Sequence, residues 1–477
     1  MAKKRTFHKK QKGEAKAPSP MHWDAPVKAG FHYEVTVHGV GSHGEGVAKH
    51  DGFTVFVPNA LPGEVVKVYI EEVKKSYARA RLEEIVLASP ERVESPCPVY
   101  FSCGGCRFQH LSKKGQLEIK EQMVREVMKR IGKVERDVVR PTIGMEGDTH
   151  YRNKMQLPVG GLVGDPLIGF YAAGTHDIVP CLDCLIQDEA NNEVARTVHA
   201  IAKELQIPPY DEISGEGILR HVVSRVGKDN KVMVVLVVAK EEIPNEKEWI
   251  ERLHVALPNM VSLYLNVNSN RTNIIMGREN RLLWGEARLT ASIGELEFLL
   301  SPHSFFQVNP EGTIKLYGKA LEYAALTGEE EVIDAYCGTG TISLFLAKQA
   351  KRVIGIEIVE PAILDARVNA KLNGIKNAEF VVGDVTKVLP EMYEAGLRPD
   401  VLVMDPARAG CEIPVLEAAA KMNPKRMVYV SCNPASLARD IAILALLGYE
   451  VVEITPVDMF PFTSHVETVV LMSRVDK

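Results

Sequence analysis

Short apolar runs alternate with helical patterns along residues 291–477. Strands are predicted at 331–334, 352–356, 380–382, 401–404 and 427–430, and helices at 342–347 and 361–372. Regular alternation of strands and helices predicts a doubly wound α/β sheet. Two further apolar segments, 451–454 and 468–472, are joined by a loop too short for a crossover helix. We therefore expect these last two strands to form an antiparallel pair.

The pattern before residue 87 is different. Strands are predicted at 34–38, 53–57, 64–71 and 78–86, and Gly39, Gly41, Gly44 and Gly46 are assigned to a turn. Short strands with glycine and proline breaks about every ten residues predict a small OB-like β-barrel. Residues 74–81 add four cations and Tyr77 at one edge, a composition that suits a phosphate backbone and a stacked base. A solvated loop is the alternative.

The middle of the chain has mixed α+β patterns. Leu117, Val124, Val127, Met128 and Ile131 have helical spacing and predict a basic amphipathic helix, with Lys120 as the one mismatch. Segments 222–226 and 232–238 predict a hairpin whose continuously apolar second arm is buried on both faces. We expect four regions, which are a basic disordered arm (1–22), the barrel (23–86), the mixed domain (87–290) and the α/β domain (291–477).

Composition excludes several classes of protein. The 477 residues are 46% hydrophobic and 25% charged, which is normal for globular domains and excludes global disorder. No apolar run is long enough to cross a membrane, and no apolar core follows the charged N-terminus, so a soluble cytoplasmic protein is expected. The net charge of −5 argues against nucleic acid, yet residues 1–20 hold seven Lys or Arg against one Glu. This arm is either an RNA contact or only a solubilising segment.

The first chemical motif is DAYCGTGT at 334–341, where a predicted strand turns into a helix. Glycines there allow close approach of a ligand, and Glu357 ends the next strand, where a carboxylate can accept both ribose hydroxyls. The motif is GxG and not GxGxxG. The predicted antiparallel pair at the end of the chain also suits the reversed last strand of a class I methyltransferase sheet. Both features favour S-adenosylmethionine over NAD as the cofactor. A structural turn with a solvated Glu357 is the alternative.

Three more motifs follow predicted strands of the same domain. Asp405 and Arg408 lie in DPARAG, where Asp405 could contact the cofactor or a target base and Arg408 could be a structural salt-bridge partner. Cys432 lies near a helix start, which can lower the pKa of a thiol and make it a nucleophile. Glu467 enters an apolar strand, where desolvation would suit it to proton abstraction. The alternatives to these catalytic roles are that Cys432 is a small buried thiol and that Glu467 is a surface carboxylate.

Five cysteines form the remaining candidate site. Cys97, Cys103 and Cys106 are closely spaced, and Cys181 and Cys184 lie far downstream. Such a set can hold an iron–sulfur cluster or zinc, and a set of unliganded buried thiols is the third possibility. The CxxxCxxC spacing of radical enzymes is absent, which argues against radical chemistry. A structural cluster is preferred over a redox one.

Taken together, the motifs resemble those of the bacterial RNA (uracil-5-)-methyltransferases, in particular the 23S rRNA branch. The resemblance spans about residues 25–475 and rests on the barrel, which resembles a TRAM domain, and on CPVYFSCGGCRFQH, HYRNK, FFQVNP, DAYCGTGT, DPARAG, SCNPASLARD and HVET. It implies a 4Fe–4S cluster on Cys97, Cys103, Cys106 and a late cysteine, for which lining up residues 177–179 favours Cys184. It also implies cofactor contacts at Gln307, Tyr336, Gly338, Glu357, Asp384 and Asp405, with Cys432 as nucleophile and Glu467 as base.

The expected function is methylation, by S-adenosylmethionine, of C5 of one or two uridines in 23S rRNA. The uridine must be unpaired or flipped out of its helix to be reached. Two alternatives stay open, which are a tRNA enzyme of the same mechanism and an RNA-binding protein without activity. The tRNA branch lacks both barrel and cysteine loop, which disfavours tRNA. A monomer without an obligate protein partner is expected.

Overall fold

The computed structural model describes residues 25–475 of the chain, so the expected basic arm at 1–22 lies outside the described residues. The described residues form two compact units, one of residues 25–41 and 46–88, the other of residues 42–45 and 89–475. No helix between residues 25 and 475 is both long and apolar enough to cross a membrane.

The first unit is the predicted barrel. Its strands are β1 (His32–Val40), β2 (Gly46–His50), β3 (Phe53–Val57), β4 (Val65–Val73) and β5 (Tyr77–Leu87), closed in the order β1-β2-β3-β5-β4. Strand β2 was missed because Gly46 was assigned to a turn. A Cβ at Gly46 would lie 2.6 Å from the Ala60 carbonyl oxygen, so this glycine permits a close backbone approach within the barrel.

The cationic edge predicted at residues 74–81 is partly neutralised. Lys74 pairs with Glu72, and Arg81 pairs with Glu83 at 3.0 Å. Exposed pairs of this kind contribute little to stability, so they can exchange for contacts with phosphate.

The middle of the chain supplies a seven-stranded sheet. After α1 (Lys113–Arg130) come β6 (Lys154–Leu162), β7 (Asp165–Tyr171), β8 (Ile178–Pro180), α2 (Glu189–Glu204), β9 (Leu219–Val226), β10 (Val232–Val238), α3 (Glu246–Ala256), β11 (Met260–Val267) and β12 (Glu279–Gly285). The strand order is β12-β11-β10-β9-β6-β7-β8. Strands β9 and β10 form the predicted antiparallel hairpin, and every residue of β10 is buried.

The C-terminal region carries the predicted doubly wound sheet. A hairpin of β13 (Leu289–Ile293) and β14 (Leu296–Leu300) precedes α4 (Pro310–Ala324), β15 (Glu331–Ala335), α5 (Thr341–Ala347), β16 (Arg352–Glu357), α6 (Glu360–Leu372), β17 (Ala378–Val382), α7 (Val385–Glu394), β18 (Val401–Met404), α8 (Ile413–Met422), β19 (Arg426–Ser431), α9 (Pro434–Leu446), β20 (Tyr449–Val457) and β21 (Glu467–Arg474). The order is β17-β16-β15-β18-β19-β21-β20. Strand β21 is antiparallel to both β19 and β20, which confirms the prediction that the last strand is reversed.

Helix α1 shows why Lys120 breaks the apolar pattern. The Lys120 side chain is fully buried, with its Nζ 2.5 Å from the Asp458 carboxylate and 3.0 Å from the Phe460 carbonyl oxygen. On the same helix, Val124 and Met128 join the core formed with α8 and α9. The helix therefore packs on the C-terminal sheet, although its sequence lies in the middle region. The boundary at residue 290 stays a prediction.

Candidate active site

The site forms where the parallel strands of the C-terminal sheet end. Asp405 follows β18 and Cys432 follows β19, so both lie at the carboxyl edge, where ligands bind in such sheets. Strand β21 runs the other way and starts at that edge with Glu467. Ser431, the last residue of β19, pairs with Thr468 of β21, which brings the adjacent residues Cys432 and Glu467 together.

Burial and charge set the protonation of Cys432 and Glu467. Glu467 is 5% exposed, and burial raises its pKa to about 7, which suits proton abstraction near neutral pH. Burial, together with the charges of Glu467 and Asp405, raises the pKa of the Cys432 thiol to about 11. The expectation of a lowered thiol pKa is therefore wrong, because desolvation and two carboxylates outweigh the nearby helix start.

Arg408 opposes these shifts and links the loops of the site. Its positive charge lowers the pKa of both Cys432 and Glu467 against the effect of burial. Its Nη2 lies 3.2 Å from His465 Nδ1, and burial lowers the pKa of His465 to about 4, so the neutral imidazole accepts this hydrogen bond. The partner of Arg408 is thus a histidine and not the carboxylate of a structural salt bridge.

The glycine turn after β15 faces Glu357. One carboxylate oxygen of Glu357 accepts from the Gly338 amide at 3.3 Å, and the other accepts from Val359 at 2.9 Å. A Cβ at Gly338, where φ is 55°, would meet nothing within 4 Å, so open space lies before the turn. Glu357 is therefore held by backbone amides and is not a free solvated side chain. This geometry can receive the ribose of a nucleoside-type cofactor.

The other predicted cofactor contacts differ in their surroundings. Gln307 lies beside Tyr317, and Tyr336, which has a φ of 75°, lies beside Cys411. Asp384 caps α7 by accepting from the Thr386 amide at 2.9 Å. For Asp384 the structure gives a structural role, and its contact with a cofactor stays a prediction.

Burial raises the pKa of Asp405 well above its usual value, and the nearby charges of Glu467 and Asp334 raise it further. A carboxyl group in this state can donate a hydrogen bond as well as accept one. It can therefore recognise either a polar cofactor group or the edge of a base.

Sequence reasoning missed the residues that hold the 405–411 loop. The fully buried Asp440 carboxylate accepts from the Cys411 amide at 2.7 Å and from the Tyr429 hydroxyl at 2.6 Å. Arg439 donates to the carbonyl oxygens of Ala409 and Cys411 at 2.9 and 3.0 Å. Both belong to the quoted segment SCNPASLARD, but nothing in one sequence shows that they reach this loop.

The cysteine loop brings distant thiols together. Cys97, Cys106 and Cys184 lie in one packed group with Tyr100, Ile186 and Phe462. The loop is tightly wrapped, because a Cβ at Gly104 would lie 2.7 Å from the Tyr171 carbonyl oxygen.

The thiols also influence each other. Burial, together with the nearby thiols of Cys184, Cys103 and Cys97, raises the pKa of Cys106 to about 12. The pKa of the Cys181 thiol is raised by Cys184, by burial and by the nearby thiols of Cys97 and Cys103. Within residues 25–475, no three or more His, Cys, Asp or Glu side chains are arranged as a formed metal site. The donor set fits a thiophilic metal or an iron–sulfur cluster by its chemistry.

Comparisons with known proteins give relatives over nearly the full length. The sequence profile of the tRNA (uracil-5-)-methyltransferase family matches residues 227–475, and that of the TRAM domain matches residues 26–82. An uncharacterized RNA methyltransferase of Halalkalibacterium halodurans is 51% identical, over 94% of this chain and 98% of its own. One of Clostridium acetobutylicum is 48% identical, over 95% of this chain and 99% of its own.

A solved structure is similar as well. It is the crystal structure of the Pyrococcus abyssi tRNA (uracil-54, C5)-methyltransferase in complex with S-adenosyl-L-homocysteine. The TM-score is 0.76 at 28% identity, and the match covers 92% of this chain and 100% of that one.

Proposed function

The chain belongs to the RNA (uracil-5-)-methyltransferase family, enzymes that use S-adenosylmethionine, and from this premise we propose that it methylates C5 of one or two uridines in 23S rRNA. The observation that carries the proposal is the meeting of Cys432 and Glu467 beside Asp405 at the carboxyl edge of the sheet. The 23S rRNA target rests on the resemblance of the motifs.

The proposed reaction begins at C6 of uracil, because C5 alone is a poor nucleophile. The Cys432 thiol loses its proton to solvent and adds as the thiolate to C6, and the electrons of the C5–C6 double bond move into an enolate that makes C5 nucleophilic. C5 then takes the methyl group of S-adenosylmethionine by in-line displacement, which leaves S-adenosylhomocysteine. Glu467 removes the C5 proton, and the electrons of that C–H bond restore the double bond and expel the thiolate.

Arg408 has a role in this reaction that the pH profile tests. Glu467 is an active base only when ionised, and it acts after methyl transfer, so kcat should rise with pH through about 7. Arg408→Met removes the charge that lowers the pKa of both Cys432 and Glu467, so the rise should move to higher pH. Kinetics from acidic to alkaline pH measure this shift. Arg408→Lys keeps the charge and is the control, and a profile that Arg408→Met leaves in place would contradict the role.

We also propose that Cys97, Cys103, Cys106 and Cys184 hold a 4Fe–4S cluster. The support is that Cys184 packs in one group with Cys97 and Cys106, a group to which Cys181 does not belong. The cluster would fix the wrapped loop and takes no part in the reaction steps.

Protein prepared without oxygen should therefore be brown, with broad visible absorbance from the cluster. Cys184→Ser should bleach this colour because it removes a ligand, and Cys181→Ser, the matched control, should keep it. Absorbance spectra and metal analysis of the two variants decide between the cysteines. Stoichiometric zinc without iron in anaerobic protein would refute the cluster.

RNA contact by the N-terminal region is a further part of the proposal. Removing residues 1–86 takes away the cationic edge at 74–81. RNA affinity should fall and its dependence on salt should become weaker, because fewer phosphates are neutralised. S-adenosylmethionine binding should stay unchanged, since its proposed contacts all lie in the second unit. Titrations at several salt concentrations test this, and an unchanged salt slope would rule out the assigned role.

A tRNA substrate is the second candidate. The match to the Pyrococcus abyssi tRNA methyltransferase covers 92% of this chain, so a tRNA enzyme can have this length. A tRNA substrate is therefore less disfavoured than the barrel and the cysteine loop alone would indicate. Methyl transfer to 23S rRNA and tRNA transcripts, compared side by side with labelled S-adenosylmethionine, separates the two. No incorporation into either RNA would favour a binding protein without activity.

A further inference from the structure

The loop between β20 and β21, residues 458–466, ends one residue before Glu467. Its backbone carbonyl oxygens are held by side chains from elsewhere in the second unit. Asn309 donates to Met459 at 2.9 Å, Lys120 to Phe460 at 3.0 Å, and Tyr151 to Pro461 at 3.0 Å. The loop that leads to the proposed base is therefore fixed from outside the sheet.

Phe462 ties this loop to the cysteine loop. Its carbonyl oxygen accepts from the amides of Arg107 at 2.8 Å and Phe108 at 2.9 Å, the two residues that follow Cys106. Its ring is 7% exposed and packs with Tyr100 and Cys106. Its φ of 66° lies in the left-handed region, which is unfavourable for phenylalanine and persists only where the surroundings fix it.

We propose that Phe462 is a positioning residue through which the cysteine loop sets the place of Glu467. Four residues separate Phe462 from Glu467, and one of them is His465, the partner of Arg408. A shift of the cysteine loop is passed to Phe462 through its carbonyl hydrogen bonds and its ring. The inference deepens the proposed function and rests on the assignment of Glu467 as the base.

The consequence is specific to one step of the reaction. When Phe462 loses its anchors, Glu467 moves, whereas Cys432 stays at the end of β19 and Asp405 at the end of β18. Addition to C6 and methyl transfer should therefore continue while removal of the C5 proton slows. A displacement of about 1 Å can cost about 100-fold in rate, so turnover should fall by about that factor.

Phe462→Gly is the sharpest variant, because it removes the ring and leaves the left-handed backbone favourable. With labelled S-adenosylmethionine and RNA, this variant should accumulate a covalent protein–RNA adduct that already carries the methyl group. Trp284→Gly is the matched control, since it removes a partly buried ring from β12 at the far edge of the other sheet. If Phe462→Gly does not fold, Phe462→Leu replaces it as the test variant.

Hydrogen exchange provides a readout that does not depend on the reaction. Amides of residues 463–467 should exchange about tenfold faster in Phe462→Gly and in Cys106→Ser, and amides of β10 should not change. Unchanged exchange in both variants, or lost activity without adduct in Phe462→Gly, would overturn the inference. If Glu467→Gln itself forms no adduct, the proposed function fails, and the exchange experiment still decides whether the two loops are coupled.

Discussion

Glu467→Gln should stop the reaction with the methylated RNA still bound covalently to the protein. In the proposed order, proton removal comes third, and the thiolate leaves only when the C5–H electrons expel it. The variant keeps Cys432 and the glycine turn, so addition and methyl transfer proceed. A labelled band that survives a denaturing gel is the expected measurement.

Cys432→Ala is the matched variant for the first step. Without a thiolate, C5 is never activated, so neither adduct nor methyl transfer should be detected. The two variants separate nucleophile from base, which loss of activity alone would not do. Normal turnover in Glu467→Gln, or a labelled adduct in Cys432→Ala, would show that the roles are assigned wrongly.

Lys120→Met should lower the free energy of unfolding by about 3–5 kcal/mol, because removing one partner of a buried ion pair leaves the other charge uncompensated. Asp458 is 4% exposed, and in this variant its carboxylate would lose the ammonium 2.5 Å away. Urea unfolding followed by circular dichroism measures the change.

Two control variants make the result specific. Lys348→Met removes an exposed partner of Glu295 and should cost about 0–1 kcal/mol. Replacing Lys120 and Asp458 together by Met and Leu should restore most of the loss, since buried pairs can often be exchanged for apolar residues. A double variant as unstable as Lys120→Met would show that the charge left behind is not the cause.

The seven strands of the doubly wound sheet could be predicted because they are short, apolar and buried, whereas helices α4, α7, α8 and α9 and the β13–β14 hairpin were not predicted. The segment 401–404 was assigned without error, and the final antiparallel pair followed from loop length alone. Strand β2 could not be found, because a glycine needed for close approach has the same signature as a glycine in a turn. The local apolar pattern predicts helix α1, but it does not show why Lys120 interrupts that pattern, because its partner Asp458 is distant in the chain.

The positions of the candidate site residues in the fold could be predicted, but their electrostatics could not. Position after parallel strands placed Asp405 and Cys432 at one edge, which the structure reproduces. The raised pKa of Cys432 depends on Glu467, 35 residues away in the chain, and on burial, so its direction was predicted wrongly. The hydrogen bonds of Asp440 and Phe462 join distant segments and have no local signal.

The most direct test of the central claim is a map of 5-methyluridine in the RNA of cells that lack this protein. Mass mapping or primer extension of 23S rRNA and tRNA from these cells and their parent strain would be compared. We predict that one or two uridines of 23S rRNA lose their methyl group while tRNA is unchanged. Intact 5-methyluridine in 23S rRNA, with loss from tRNA or from neither RNA, would contradict the account.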